Sequence, residues 1–231
     1  MHKLLKKAFD PISFETHFIA VGISVIGLVV LLLNGLKHKV SPHLLSACIL
    51  FDLSLIALYS ASSIYHYFHK YKKLSVILRK IDHSMIYVLI VGKYTPVVVY
   101  CMKAPRSCYF LGVMWNVDLI GILVKVLWID APRFISTCLY LVLGWSSLFD
   151  FSSFSTIPMR SLILIALGGI SYTIGAIIYI VKKPNISMHF GFHELFRIFV
   201  MLGSFFTLYC YYYVSFLRKS MTFSFFCFSL K

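Results

Sequence analysis

Seven long runs of apolar residues, separated by short polar connections, dominate the chain. They extend over about residues 18–36, 44–65, 84–102, 108–129, 134–151, 161–181 and 194–216. Most have the roughly 20 residues that an α-helix needs to cross a bilayer. Prolines fall in or beside the connections, where helix-breaking residues belong, with Pro96 inside the third run as the exception. The pattern predicts an all-α membrane protein built as a bundle of seven transmembrane helices.

The composition excludes the other broad classes. Of 231 residues, 60% are hydrophobic and 13% are charged, whereas globular proteins average about 45–50% apolar and about 25% charged residues. A soluble domain of this size cannot bury so much apolar surface, and a disordered chain would be far more polar. The runs divide the chain into a short basic N-terminal segment (1–17), a seven-helix membrane domain (18–216) and a C-terminal tail (217–231).

The charge is strongly positive, with 22 Lys and Arg against 8 Asp and Glu. In a membrane protein this excess indicates basic loops that contact anionic lipid heads, so membrane lipids are the expected partners and nucleic acid is not. More of the basic residues near span ends lie on the N-terminal side, which predicts a cytosolic N-terminus and an external C-terminus. We expect the plasma membrane, with an internal membrane as the alternative. The sequence specifies no oligomeric state.

Ionisable residues next to the spans suggest a site. Ser62 and His66 lie four residues apart at the end of the second run, Asp82 precedes the third and His193 the seventh. The end of an even-numbered helix and the starts of odd-numbered helices lie on one side of a membrane. Counting spans therefore places these four side chains at one depth, whichever way the protein is oriented.

Two imidazoles and a carboxylate suit a divalent metal such as zinc. Asp82 would then accept a proton from a metal-bound water or orient that water, and Ser62 would hydrogen-bond to it. The alternative is structural, with His66 as an interfacial histidine and Asp82 as the N-cap of the third helix. Four other charges fall inside the runs, and we interpret them as packing or snorkelling residues: Asp52, Lys93, Asp118 and Lys125.

Six segments together resemble the hemolysin III family, within the wider group of progestin and adipoQ (adiponectin) receptors. The similarity extends from about residue 13 to residue 204, over nearly the whole membrane domain. The segments are Ser62–His66, Ile81–Tyr87, Gly92–Pro96, Leu139–Trp145, Gly168–Gly175 and Phe190–Glu194. The resemblance implies a seven-helix bundle with its N-terminus inside.

The resemblance also implies a zinc ion held by one His at the end of helix two and two His, four residues apart, at the start of helix seven. His66 and His193 match two of these ligands, and Ser62 and Asp82 match the accompanying Ser and Asp. Arg197 occupies the position of the third ligand, and an arginine stays charged and only donates hydrogen bonds. Lys93 replaces a residue that is usually a small hydroxyl.

Two interpretations follow from the departure at Arg197. In the first, His189, which lies four residues before His193, supplies the missing imidazole. In the second, the metal is weakly held or absent, and Arg197 replaces its charge. In the second case Arg197 would bind a carboxylate, a phosphate head group or Asp82.

The two functional hypotheses differ in whether a metal is bound. The sequence leaves open whether the protein is an enzyme. The first is a zinc-dependent hydrolase of a lipid amide or ester, with Asp82 and Ser62 as catalytic residues and His66, His193 and His189 as ligands. The alternative is a non-enzymatic sensor or receptor, or a pore-forming cytolysin, with a degenerate metal site.

Overall fold

Seven α-helices make up the described part of the chain. The computed structural model describes residues 10–68, 71–102, 104–146, 157–186 and 190–228, without the side chains of residues 133 and 214–228. The helices are α1 (Pro11–Lys37), α2 (Pro42–Phe68), α3 (Lys72–Cys101), α4 (Arg106–Leu127), α5 (Arg133–Trp145), α6 (Met159–Val181) and α7 (Phe192–Phe228). Those ranges contain no strand. Each apolar run overlaps one helix, so the all-α prediction is confirmed.

Six of the described helices are long and apolar enough to cross a membrane. The exception is α5, which has 13 residues, fewer than the roughly 20 that span a hydrocarbon core. The corresponding apolar run was predicted to end at 151, and residues 147–156 lie outside the described ranges. The seventh crossing and the side of each terminus stay predictions. The predicted start of a tail at 217 falls within α7, whose backbone continues to Phe228.

Two helices begin seven or more residues before the start that the apolar pattern predicts, and the others begin within about two residues of it. Residue 11 rather than 18 starts α1, where the Asp10 carboxylate accepts a hydrogen bond from the Ser13 backbone at 3.3 Å and proline fills the first helical position. Residue 72 rather than 84 starts α3. Its first turns are rich in Lys and Arg, so hydropathy alone does not detect them. Asp82 therefore lies about three turns inside α3, and its predicted role as an N-cap is wrong.

The helices close into a bundle around α2 and α3. The first four pack in sequence, α1 against α2, α2 against α3 and α3 against α4. The other side of the bundle is formed by α5 against α6 and α6 against α7, and α7 returns to contact both α1 and α2. Since α3 also touches α5, it lies inside the bundle. The buried side chains of Phe51, Leu55 and Val91 are no more than 1% exposed.

Exposed apolar side chains cover the outside of the bundle. Ile26 and Leu33 on α1 and Ile120 and Leu123 on α4 are more than half exposed. Such a surface would be an aggregation hazard in water and is normal where acyl chains surround a helix. It agrees with the span-length helices in making this an integral membrane protein.

Close packing of α6 on α7 depends on small residues. A Cβ atom added at Gly168 would lie 3.2 Å from the Gly203 carbonyl oxygen and 3.1 Å from the Thr207 hydroxyl. Small residues allow such approach between membrane helices.

We expect Gly168→Val to destabilise the protein by about 1–2 kcal/mol, because the backbone of α7 must move away. Thermal unfolding in detergent measures the effect. Gly112→Val is the matched control, since nothing lies within 4 Å of its Cβ position, and an equal loss there would contradict the prediction.

Candidate functional site

Three helices bring the predicted polar residues to one place. The last turns of α2 carry Ser62 and His66, α3 contributes Asp82, and the first turn of α7 carries His193. The ring centroids of His66 and His193 are 6.4 Å apart. Ser62 and Asp82 line the same cavity as His193. The structure therefore assembles all four side chains, although their predicted chemical roles stay predictions.

Arg197 lies at the centre of this assembly. Its Nη2 atom is 2.5 Å from Nε2 of His66 and 3.2 Å from Nε2 of His193. A guanidinium nitrogen can only donate, so both imidazole nitrogens accept. Arg197 lies one helical turn after His193, which explains that contact. Its contact with His66, from a different helix, is a tertiary feature that sequence spacing does not give.

The carboxylate of Asp10 completes the group, and the sequence analysis missed it. Its Oδ2 is 3.4 Å from Nδ1 of His66 and 3.9 Å from Nη1 of Arg197. The ring of His66 thus donates from Nδ1 to Asp10 and accepts at Nε2 from Arg197. Burial raises the pKa of Asp10, but hydrogen bonds with His66 and Ser13 outweigh burial and hold that pKa well below its ordinary value. The sequence does contain an Asp10–Pro11 pair, which is typical of a helix start and would have placed Asp10 at the beginning of α1.

A third imidazole, from His17, was also missed. Its ring centroid lies 6.4 Å from that of His66 and 5.7 Å from that of Tyr59, and the residue is 4% exposed. The sequence analysis placed His17 before the first span. The earlier start of α1 brings it into the bundle instead.

The described residues do not fit a zinc ion between His66 and His193. The Nε2 atoms of both rings contact one nitrogen of Arg197, so a positive charge already lies between the two lone pairs that a metal would need. No group of three or more His, Cys, Asp or Glu side chains in the described ranges is arranged to hold a metal. His189, the predicted replacement ligand, lies outside those ranges.

A cavity of about 800 Å³ opens beside this group. Its volume is in the range of ligand pockets, about 300–1,000 Å³. Apolar side chains of α2, α3, α5, α6 and α7 form most of its wall. The charged side chains that line it are five cations and two carboxylates: Arg79, Lys93, Lys125, Lys182, Arg197, Asp82 and Asp130.

Among the described residues, most of these cations have no carboxylate within ion-pair distance. Arg79 pairs with Asp130 at 2.5 Å. Lys125 donates instead to the Ser136 hydroxyl at 2.9 Å. The other four cations face two carboxylates, Asp82 in the lining and Asp10, which lies 3.9 Å from Arg197, so the cavity is positive within a mostly apolar wall.

The comparisons with a family model and with individual relatives point to the same family. The family described as "Haemolysin-III related" matches residues 8–208. The "Hemolysin-3 homolog" of Bacillus subtilis (strain 168) is 35% identical over 190 residues, which cover 82% of this chain and 86% of that protein. The "Hemolysin-3" of Bacillus cereus is 30% identical over 200 residues, covering 84% and 86%. The resemblance found in the sequence is confirmed, and the chain belongs to the haemolysin-III-related family of multi-pass integral membrane proteins.

Proposed function

We propose that this protein is a non-enzymatic membrane sensor or receptor that binds an anionic lipid in its cavity, with Arg197 supplying the positive charge that a metal would otherwise provide. The observation that supports this most directly is the position of Arg197. It lines the cavity, is 5% exposed and donates from one nitrogen to two imidazoles.

The guanidinium keeps hydrogen-bonding capacity for a ligand. It has five N–H donors in a planar fork that matches a carboxylate or phosphate. Nη1 of Arg197 has no hydrogen-bond partner among the described residues and lies 3.9 Å from the Asp10 carboxylate. An incoming anionic head would therefore share Arg197 with Asp10 rather than break a hydrogen bond made by Nη1.

The walls of the cavity suit the rest of a lipid. Leu58, Ile86, Leu89 and Ile90 provide an apolar surface next to the polar group. An amphiphile with one anionic head and an acyl chain matches both parts, whereas a neutral lipid would leave the cations unpaired. The head group must carry anionic oxygen atoms, and either a carboxylate or a phosphate provides them.

Direct binding measurements test the proposal. The purified protein in zwitterionic nanodiscs would be titrated with hexadecanoic acid, lysophosphatidic acid and uncharged hexadecanol. We expect at least one anionic lipid to bind well above hexadecanol, and Arg197→Met to weaken that binding about 10- to 100-fold, as for a lost charge-assisted hydrogen bond.

Arg160→Met is the matched control, because Arg160 is exposed and lies on α6 outside the cavity lining. The Arg160→Met variant should bind the anionic lipids with the same affinity as the wild type. Equal binding of hexadecanol and both anionic lipids would overturn the proposal. So would single-channel conductance in planar bilayers that His66→Ala abolishes, which would favour the cytolytic activity in the relatives' names.

A zinc-dependent lipid hydrolase is the second candidate. It is favoured by the grouping of Ser62, Asp82 and His193 on the wall of one cavity. It needs a third imidazole from His189 and a displaced Arg197. With the described arrangement no catalytic step follows, so the metal content of the protein decides between the two candidates.

A further inference from the structure

Lys93 lies in the same cavity as Arg197 but farther along α3. It follows Asp82 by 11 residues, which at 1.5 Å and 100° per residue corresponds to roughly 16 Å and just over three turns. Both side chains therefore project from one face of α3, and both line the cavity. About 16 Å is half of a hydrocarbon core of about 30 Å. Lys93 thus places a cation deep in the membrane, on the same cavity wall as Arg197.

Two tyrosine rings hold the ammonium group. Its Nζ atom is 4.4 Å from the centroid of the Tyr172 ring and 5.1 Å from that of Tyr94, within the range of cation–π contacts. Both rings are fixed through their hydroxyls. Tyr172 is hydrogen-bonded to Ser204 at 2.8 Å, and Tyr94 donates to the Gly144 carbonyl. The ammonium is therefore held at a defined place on the cavity wall.

No carboxylate neutralises this ammonium within the described ranges, where the ion pairs involve other residues. A charged side chain inside a membrane normally pairs with another polar group or lines a polar pathway. The wall between Lys93 and the Arg197 group carries Ile86, Leu89 and Ile90. The cavity therefore presents cation, apolar wall and cation in sequence along α3.

We infer that the ligand of this cavity is a bipolar lipid with an anionic group at each end, such as an α,ω-dicarboxylic fatty acid. One carboxylate contacts Arg197 and the other contacts the ammonium of Lys93, while the chain lies along the apolar wall. This inference rests on the anionic-lipid function proposed above. It adds the ligand class and assigns Lys93 as the residue that selects it.

The test compares diacids with monoacids of equal length. Dodecanedioic, tetradecanedioic and hexadecanedioic acids would be titrated into the protein in zwitterionic nanodiscs beside the three corresponding monoacids. We expect the best-fitting diacid to bind at least about tenfold more tightly than its monoacid, as for one additional charge-assisted contact. Lys93→Met should remove that preference by lowering the affinity for the diacid to about that for the monoacid.

Two further variants make the test specific. Lys93→Arg retains a positive charge and should retain a preference for diacids. Lys73→Met removes an exposed lysine from the first turn of the same helix and should behave as the wild type. If monoacids bind but diacids bind no tighter, or if Lys93→Met keeps the preference, the inference fails and the anionic-lipid function stands. If neither acid binds, the inference fails, and the anionic-lipid function fails as well only if lysophosphatidic acid also binds no better than hexadecanol.

Discussion

Arg197→His is expected to convert a protein that retains little zinc through purification into one that retains close to one zinc ion per chain. In the wild type, the guanidinium lies 2.5 Å and 3.2 Å from the two imidazole nitrogens that face it. A unit charge at about 4 Å repels another by about 4 kcal/mol at an effective dielectric constant of 20, and zinc carries two charges. Replacing that cation with an imidazole should therefore raise zinc affinity by at least about 10³-fold.

Elemental analysis by mass spectrometry after size-exclusion chromatography measures this change. Arg160→His, at an exposed position, controls for adventitious binding by an added histidine. Adding His66→Ala to the Arg197→His variant should remove the metal again. Stoichiometric zinc in the wild type would contradict the prediction and favour the hydrolase, with His189 as a ligand. No zinc in Arg197→His would show that His66 and His193 cannot share a metal.

Asp118→Leu is expected to stabilise the protein by roughly 2–4 kcal/mol. Asp118 lies in the membrane-spanning helix α4, is 0% exposed, and neither carboxylate oxygen has a hydrogen-bond partner among the described residues. A buried polar group without a partner costs about 1–3 kcal/mol, and replacing such groups with apolar side chains of similar volume is often stabilising. Leucine removes that cost and keeps the site filled.

Thermal unfolding of matched detergent samples measures the gain, at about 2–4 °C per kcal/mol for a protein of this size. Asp130→Leu provides the contrast, because Asp130 pairs with Arg79 and its side chain is 79% exposed. It should show no gain. A lower melting temperature for Asp118→Leu would mean that the carboxylate has a stabilising partner, such as a bound cation, and that its burial serves a function.

The sequence predicts the helices well because an apolar run long enough to cross a bilayer has few other structures available. It also predicts that Ser62, His66, Asp82 and His193 lie at one depth in the membrane, since alternation of spans fixes the side on which each helix ends. Both results follow from one-dimensional patterns. They need no knowledge of which helices are neighbours.

The remaining features depend on packing that no local pattern encodes. The Lys- and Arg-rich first turns of α3 give no apolar signal, so the helix start at Lys72 was missed. Asp10 and His17 join the site only because α1 begins seven residues early and packs beside α2. Arg197 was correctly identified as unusual. That it contacts both imidazoles could not be deduced, because that depends on the approach of α7 to α2.

The position of Asp10 links the start of the first helix to whatever occupies the cavity. The same carboxylate caps α1 and lies beside the guanidinium that an anionic ligand would seek. Two anions that compete for one cation destabilise each other's binding by the same free energy. Filling the cavity would therefore loosen the first turn of α1, and anchoring that turn more firmly would weaken the ligand. The first turn of α1 is thus thermodynamically coupled to the interior of the bundle.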